Sequence, residues 1–230
     1  MSAQSETLVL TGIRAALIDL DGTMVDTALD IQVAANLMRN DFALPPLPIE
    51  TIRNFIGKGT QNLVLQSLQV DFAPERADEL LPQALECFYR HYAIANGVQS
   101  TVYPGVIEGL NAFRSKGLRL ACITNKLSAF AEPLLEKLEL ISYFDALYFA
   151  DTLPRKKPDP LPLVTACREF GIQPYEAVAI GDSINDASAA RAAGCRLLNV
   201  PYGYNHGEPV QELGADAIVE SLLEAAQLID

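Results

Sequence analysis

No Gly-x-x-x-x-Gly-Lys-Ser/Thr loop occurs anywhere in the chain, and its nearest approach, Gly57-Lys58, runs on into Gly59 rather than a hydroxyl residue. That absence excludes a P-loop nucleotidase, whose phosphate cradle needs the whole pattern. Long apolar runs are missing too. None reaches the roughly 18 residues that a membrane helix requires, and Glu6, Arg14 and Asp19 interrupt the region where a leader would need a clean apolar stretch. A soluble, cytoplasmic protein is expected. The four cysteines, Cys87, Cys122, Cys167 and Cys195, show no Cys-x-x-Cys spacing, which favours reduced, buried thiols over a disulfide framework or a zinc site. Positive charge is scarce: 17 Lys and Arg stand against 29 Asp and Glu, for a formal net charge of −12. Such a surface repels nucleic acid and anionic membranes, so an anionic substrate has to be drawn in by local cations or a metal. The expected partners are small molecules, and the chain is expected to be a monomer or a homodimer.

Half of the 230 residues are hydrophobic, enough for one full core with a smaller appendage or for two compact domains. Residues 13–26 carry an apolar run that ends in two carboxylates, a glycine and a hydroxyl: Ile-Arg-Ala-Ala-Leu-Ile-Asp-Leu-Asp-Gly-Thr-Met-Val-Asp. Residues two apart on a strand share a side, so Asp19 and Asp21 aim into one crevice at the strand's C-terminal end, and Gly22 lets the chain turn. Two unit negative charges about 4 Å apart, at an effective dielectric near 20, repel by roughly 4 kcal/mol. A divalent cation between them removes that penalty. An EF-hand does not fit, because its loop glycine comes later than Gly22 does and a helix, not a strand, leads into it. A purely structural acidic turn is the alternative for this segment taken alone.

Beyond residue 26 the apolar spacing turns helical. Residues 27–42 form one expected helix, stopped by Pro45, Pro46 and Pro48; 48–56 and 60–68 form two more around the Gly57-Lys58-Gly59 turn; 74–95 forms a longer helix, or two with Pro82 at a start or kink. With no strand pattern among them, residues 27–97 read as a helical insertion. From residue 103 helix and strand alternate. Helices are expected over 104–116, 128–138, 159–170 and 184–193, strands over 118–123, 146–150, 177–180 and 196–200, and a last strand-and-helix pair begins over 217–224. Strands separated by single helices imply a parallel, doubly wound α/β sheet, which binds ligands beyond the C-terminal ends of its strands.

Three more polar clusters fall at those ends. Thr124-Asn125 follows one strand, Lys156-Lys157-Pro158 another, and Gly-Asp-Ser-Ile-Asn-Asp at 181–186 a third. Singly, each has a plain structural use as a helix cap or a solvated loop. Jointly, at one sheet edge, they describe a phosphate site. Asp182 adds a third acid for a hard cation with oxygen ligands, such as magnesium. Thr124 adds a hydroxyl, Asn125 a backbone or amide donor, and Lys157 a point charge for phosphoryl oxygens.

In these residues the chain resembles the haloacid dehalogenase-like phosphohydrolase superfamily. Asp-Leu-Asp-Gly-Thr at 19–23, Thr-Asn at 124–125, Lys-Pro at 157–158 and Gly-Asp-x-x-x-Asp at 181–186 match its four motifs in order. The resemblance implies a Rossmann-like catalytic core of residues 1–26 and 98–230, with an inserted, mobile, all-helical cap of residues 27–97. It also implies Asp19 as nucleophile and metal ligand, and Asp21 as general acid and base with its backbone carbonyl on the metal. Thr124 and Lys157 would hold the phosphoryl group, and Asp182 with Asp186 would complete a magnesium site. The chemistry agrees, since forming and breaking an aspartyl phosphate splits one difficult hydrolysis into two easier steps. Asp21 argues against the dehalogenases, which do not use the second aspartate, and against phosphonoacetaldehyde hydrolases, which replace it. The latter use a cap lysine for a Schiff base, however, and Lys58 keeps that second option open beside its plain reading as a solvated loop lysine. Phosphosugar mutases resembling beta-phosphoglucomutase keep both aspartates and stay open, as does a non-catalytic binding module.

The Gly57-Lys58-Gly59 turn, the run 151–159 and Pro-Tyr-Gly-Tyr-Asn-His-Gly at 201–207 are similar to the bacterial phosphoglycolate phosphatase group. Near neighbours of that group act on pyrophosphate, amino-sugar phosphates and other small phosphoesters. A magnesium-dependent hydrolase of a small phosphomonoester is therefore expected, with 2-phosphoglycolate the first substrate to try. Lys58, the one lysine in the insertion, is the candidate to meet a substrate carboxylate, with Arg53 nearby. The 202–207 loop, including His206, is expected to be structural surface.

Overall fold

A computed structural model of the chain describes residues 9–230 apart from 206 and 208, so His206 of the expected surface loop lies outside the described residues. At the centre stands β1 (Ala15–Ile18), four buried apolar residues. Alternation divides them between two apolar clusters: Ala16 and Ile18 join one, Ala15 and Leu17 the other, as the two-residue period of a strand requires. After the short strand β2 (Val25–Asp26) come four helices, α1 (Ala28–Asp41), α2 (Ile49–Arg53), α3 (Thr60–Gln69) and α4 (Pro74–Ala95), and then β3 (Thr101–Val102). The remainder alternates: α5 (Val106–Ser115), β4 (Arg119–Ile123), α6 (Ser128–Lys137), β5 (Ala146–Tyr148), α7 (Leu161–Glu169), β6 (Ala177–Gly181), α8 (Ile184–Ala193), β7 (Arg196–Asn199), β8 (Ala217–Ile218) and α9 (Leu222–Gln227).

Six strands form one sheet in the order β5-β4-β1-β6-β7-β8, with every pairing parallel. The chain winds outward from β1 in both directions, so the strand order reverses there and a crevice opens at its C-terminal end. Helices α5, α6 and α9 cover the face of Ile18, and α7 and α8 the face of Leu17. Burial on both faces is why these strands read as near-continuous apolar runs. The strand expected over 146–150 stops at Tyr148, where the pairing of this edge strand with β4 ends. Among the described residues no helix is long and apolar enough to cross a membrane.

Helices α1 to α4 gather round a third apolar cluster that includes Ile31, Met38, Ile52, Leu63, Leu68 and Phe88, and Phe130 of α6 and Tyr204 join it from the sheet side. α4 buries Ala77, Leu81, Ala84, Phe88, Tyr92 and Ala95 at helical spacing. That stripe continues past Pro82, which lies inside a single helix rather than dividing two. Pro82 and Asp78, whose carbonyl loses its donor to the proline ring, are both exposed, so water replaces the missing hydrogen bond. The chain leaves the sheet through β2 and returns through β3, which pair antiparallel with Val25 opposite Val102. Two residues show no alternation, and this ribbon, unlike β8, has no place in the strand-and-helix rhythm that would mark it. Buried Asp30 of α1 accepts from the backbone N–H groups of Gln99 (2.8 Å) and Ser100 (3.0 Å), fastening the outgoing helix to the returning chain.

Candidate active site

At the end of β1 the Asp19 N–H still donates to the Ile180 carbonyl at 3.0 Å, keeping Asp19 in register with β6. The chain then folds back, the Leu20 carbonyl accepting from the N–H groups of Met24 and Val25, both at 3.0 Å, while Gly22 takes a φ of 85°. Glycine is needed here for a second reason. A Cβ on Gly22 would lie 2.4 Å from Asp182 Oδ2, and one on Gly203 would lie 2.3 Å from the same atom. Two bare backbones thus press against the Asp182 carboxylate. Thr23 Oγ1 donates to its Oδ1 at 2.8 Å and the Tyr204 N–H to its Oδ2 at 2.5 Å.

α8 begins in a reciprocal cap, Asp186 Oδ2 accepting from the N–H (3.1 Å) and hydroxyl (2.6 Å) of Ser183. The other Asp186 oxygen takes a 2.6 Å bond from Lys157 Nζ, which also donates to the Ile123 carbonyl at 2.6 Å and lies 2.8 Å from Asp19 Oδ1. Sequence-distant groups thereby converge: Asp19, Asp182 and Asp186 each offer an oxygen within 4.8 Å of the others. Burial raises the Asp19 carboxyl to about 7, with Lys157 pulling it part of the way back and Asp186 pushing it up. Burial also lifts Asp182 well above the usual carboxylate range, and the charges of Asp186 and Asp19 add to it. At Lys157, burial alone would lower the ammonium, but Asp186 and Asp19 outweigh it and the group is raised.

With all three enclosed acids ionised, one ammonium would leave negative charge in excess, and burial together with that excess pushes Asp19 and Asp182 upward. Asp19 Oδ1 is buried with no hydrogen bond aligned on it, although Lys157 stands close by. Oxygen-only donors, mutual repulsion among the ionised acids and an Asp19 oxygen with no partner but the Lys157 ammonium fit a hard divalent cation. The Asp182 and Asp186 carboxylates are already oriented by their hydrogen-bonding neighbours, and both Asp182 oxygens and Asp186 Oδ1 keep a lone pair for a metal.

In front of these acids lies a small cavity whose sheet side presents Asp19, Asp21, Thr124 and Lys126, and whose helical side presents Ile31, Ile56, Thr60, Leu63, Phe88 and Tyr92. Asp21 Oδ1 accepts from Thr27 Oγ1 at 2.8 Å and from Lys126 Nζ at 3.1 Å. Thr124 is buried and its Oγ1 accepts from the Lys126 N–H at 3.1 Å. Asn125, expected to offer a backbone or amide donor to phosphate, spends its side-chain amide on the carbonyls of Gly57 (3.1 Å) and Lys157 (2.9 Å). Its side chain ties the sheet edge to the helical turn, and the backbone N–H is the donor that stays available. Lys58 is exposed and does not line the cavity; its carbonyl accepts from Lys156 Nζ at 3.3 Å. Arg53 pairs with Asp26 at 3.0 Å and its guanidinium lies 5.4 Å from the centroid of the Tyr204 ring.

Three residues at the site escape sequence patterning. Lys126 follows Thr124-Asn125 directly, and its position beside the motif is the one signal that marks it. Tyr92 reads in sequence as one more member of the buried stripe of α4. Tyr204 belongs to the loop expected at the surface, yet it is buried, and its hydroxyl accepts from the N–H of Thr27 (2.9 Å) and donates to Asp26 Oδ1 (2.5 Å). The loop is anchored under the first motif because Gly203 and Tyr204 must reach Asp182.

The sequence profile of haloacid dehalogenase-like hydrolases matches residues 13–194. A phosphoglycolate phosphatase of Nitrosospira multiformis is 52% identical over 94% of this chain and 96% of its own length. One of Thiobacillus denitrificans is 48% identical over the same shares of the two chains. A crystal structure from Haemophilus somnus, described as a predicted phosphoglycolate phosphatase, superposes with a TM-score of 0.86 at 30% identity, covering 95% of this chain and 99% of that one.

Proposed function

Since the chain belongs to the haloacid dehalogenase-like hydrolase family, we propose that it is a magnesium-dependent phosphatase of small phosphomonoesters, 2-phosphoglycolate first among them, working through an aspartyl phosphate on Asp19. The observation that carries this is the Asp19 carboxylate itself, held at the end of β1 with one oxygen 2.8 Å from the Lys157 ammonium and within 4.8 Å of two further acids. The names of the relatives supply the substrate class. Asp19 and Asp182, with Asp186 and the Asp21 carbonyl, would hold the magnesium, which when bound offsets the repulsion between a carboxylate nucleophile and a phosphate ester.

The chain's own groups account for the rest. An Asp19 oxygen forms a bond to phosphorus as the ester oxygen departs, and Asp21 gives that oxygen a proton. Ionised Asp21 then takes a proton from water, which attacks the acyl phosphate, restores Asp19 and releases inorganic phosphate. Lys157 supplies fixed positive charge at Asp19. Thr124 and the Asn125 backbone N–H offer donors to the phosphoryl oxygens.

Purified protein presented with a panel of phosphate esters is expected to release phosphate only when magnesium is present. The highest kcat/KM is expected for 2-phosphoglycolate, ahead of amino-sugar phosphates, sugar phosphates and pyrophosphate. Magnesium-independent turnover, or none with any ester, would overturn the proposal.

A further inference from the structure

Among the described residues lining the cavity, Lys126 is the only cation, and none of the four motifs gives it a task. It is 6% exposed, and its ammonium lies 3.1 and 3.2 Å from the two Asp21 oxygens and 2.6 Å from Tyr92 Oη. A buried ammonium needs a partner, but one contact with Asp21 meets that need. The second can pass to another anion without leaving either charge bare. Tyr92 accepts from Lys126, and its own O–H has no acceptor among the described residues. Burial pushes the Tyr92 phenol up to about 12, with the Lys126 charge in partial opposition, so it remains a donor at neutral pH. The ring is held in place, stacked on Phe88 at 5.3 Å between centroids and 5.0 Å from Phe130.

An ammonium and a phenol 2.6 Å apart, facing the apolar side chains of Ile31, Ile56, Leu63 and Phe88 and the Thr60 hydroxyl, form a two-pronged receptor. The two oxygens of a carboxylate use both prongs, whereas an apolar tail uses neither. Asp21 serves the ester oxygen in the proposed mechanism. A group on the carbon next to that oxygen therefore comes within reach of the ammonium bonded to Asp21.

We propose that Lys126 and Tyr92 select esters whose leaving alcohol carries a carboxylate. Lys126 turns one of its two Asp21 contacts to that group while Tyr92 donates the second hydrogen bond. The inference rests on the phosphatase proposal above and places the charge recognition on the sheet side, at Lys126, rather than at exposed Lys58.

The test compares kcat/KM for 2-phosphoglycolate with that for ethyl phosphate, which has the same two-carbon length without the charge, in wild type, Lys126→Met and Tyr92→Phe. The ratio of the two is expected to fall about 10-fold or more in Lys126→Met and about 3-fold or more in Tyr92→Phe, the scale of one charged and one neutral hydrogen bond. The inhibition constant for glycolate should weaken in parallel. Tyr92→Phe removes a single oxygen and keeps the test decisive should Lys126→Met fail to fold. If both substrates lose activity by the same factor, Lys126 acts only through Asp21 and the receptor is overturned, with the phosphatase proposal intact. A wild-type protein that frees phosphate from neither ester overturns both.

Discussion

The two walls of the cavity are built on opposite terms. The sheet side presents Asp19, Asp21, Thr124 and Lys126, while the helical side presents Ile31, Ile56, Leu63 and Phe88 with two hydroxyls, those of Thr60 and Tyr92. The sheet edge can afford polar groups because its backbone is already paired by the parallel ladder. The carboxylates there are oriented by neighbours in the turns and loops that leave the strand ends, as Asp182 is by Thr23 and Tyr204. The helices have no such frame at the cavity and bring their own apolar cluster up to it. In the proposed mechanism the sheet wall supplies the chemistry and the helical wall the shape, the two being joined by Asn125 on Gly57 and Lys126 on Tyr92.

Breaking the sheet wall should do the most damage. Asp19→Asn is expected to lower kcat for 2-phosphoglycolate by about 10⁴-fold or more, since an amide is not a nucleophile, while far-ultraviolet circular dichroism stays that of the wild type. Near-normal turnover would place the nucleophile elsewhere. Asp182→Ala removes the acid enclosed between two glycines, and the magnesium concentration for half-maximal activity should rise by about 10-fold or more. An unchanged magnesium titration would dissociate this acid from the cation.

The helical wall should respond differently. Leu63, 4% exposed, when cut to alanine leaves a void and should reduce unfolding stability by about 2–4 kcal/mol in a denaturant titration. Its kcat should change by less than about 3-fold, with KM for the small ester rising and a bulky aryl phosphate gaining ground relative to it. A kcat loss as large as that of Asp19→Asn would erase the division of labour between the walls.

The smallest effect concerns pH. A carboxyl raised to about 7 in the folded state, as burial makes Asp19, keeps a proton there at pH values where the unfolded chain has released it. The metal-free fold therefore loses stability as pH rises from about 4 toward 7. A cation bound by the ionised acids opposes that loss. Magnesium is expected to raise Tm by several degrees more at about pH 8 than at about pH 5, as read by differential scanning calorimetry. Equal gains at the two pH values would show that the ion does not bind this cluster.

Much of this was legible in the chain because it depends on local pattern. β1, α8 and the placing of Asp19, Thr124 and Asp182 at strand ends follow from alternation, caps and helical spacing, each set by residues a few positions apart, whereas Lys157 reaches the site on a loop well past the end of β5. The ribbon of β2 and β3 was not legible, since two residues carry no period, and the continuity of α4 through Pro82 depended on which of its faces met water. Lys126 shows the same limit within the site. Its neighbour Thr124 belongs to a recognisable motif, but a lysine beside a motif is an ordinary loop residue until its partners are in view.

By itself the sequence determined that a parallel α/β sheet would gather several acids and a lysine at one edge, because strand and helix periods are local and so is the order of the motifs. Only the tertiary structure decided which charges would meet. Lys126 finds Asp21 across 105 positions and Tyr92 across 34, and Tyr204 reaches Asp26 across 178. Pairings over such separations depend on how the layers pack and on which groups are shut off from water, and neither is encoded in any short stretch of the chain.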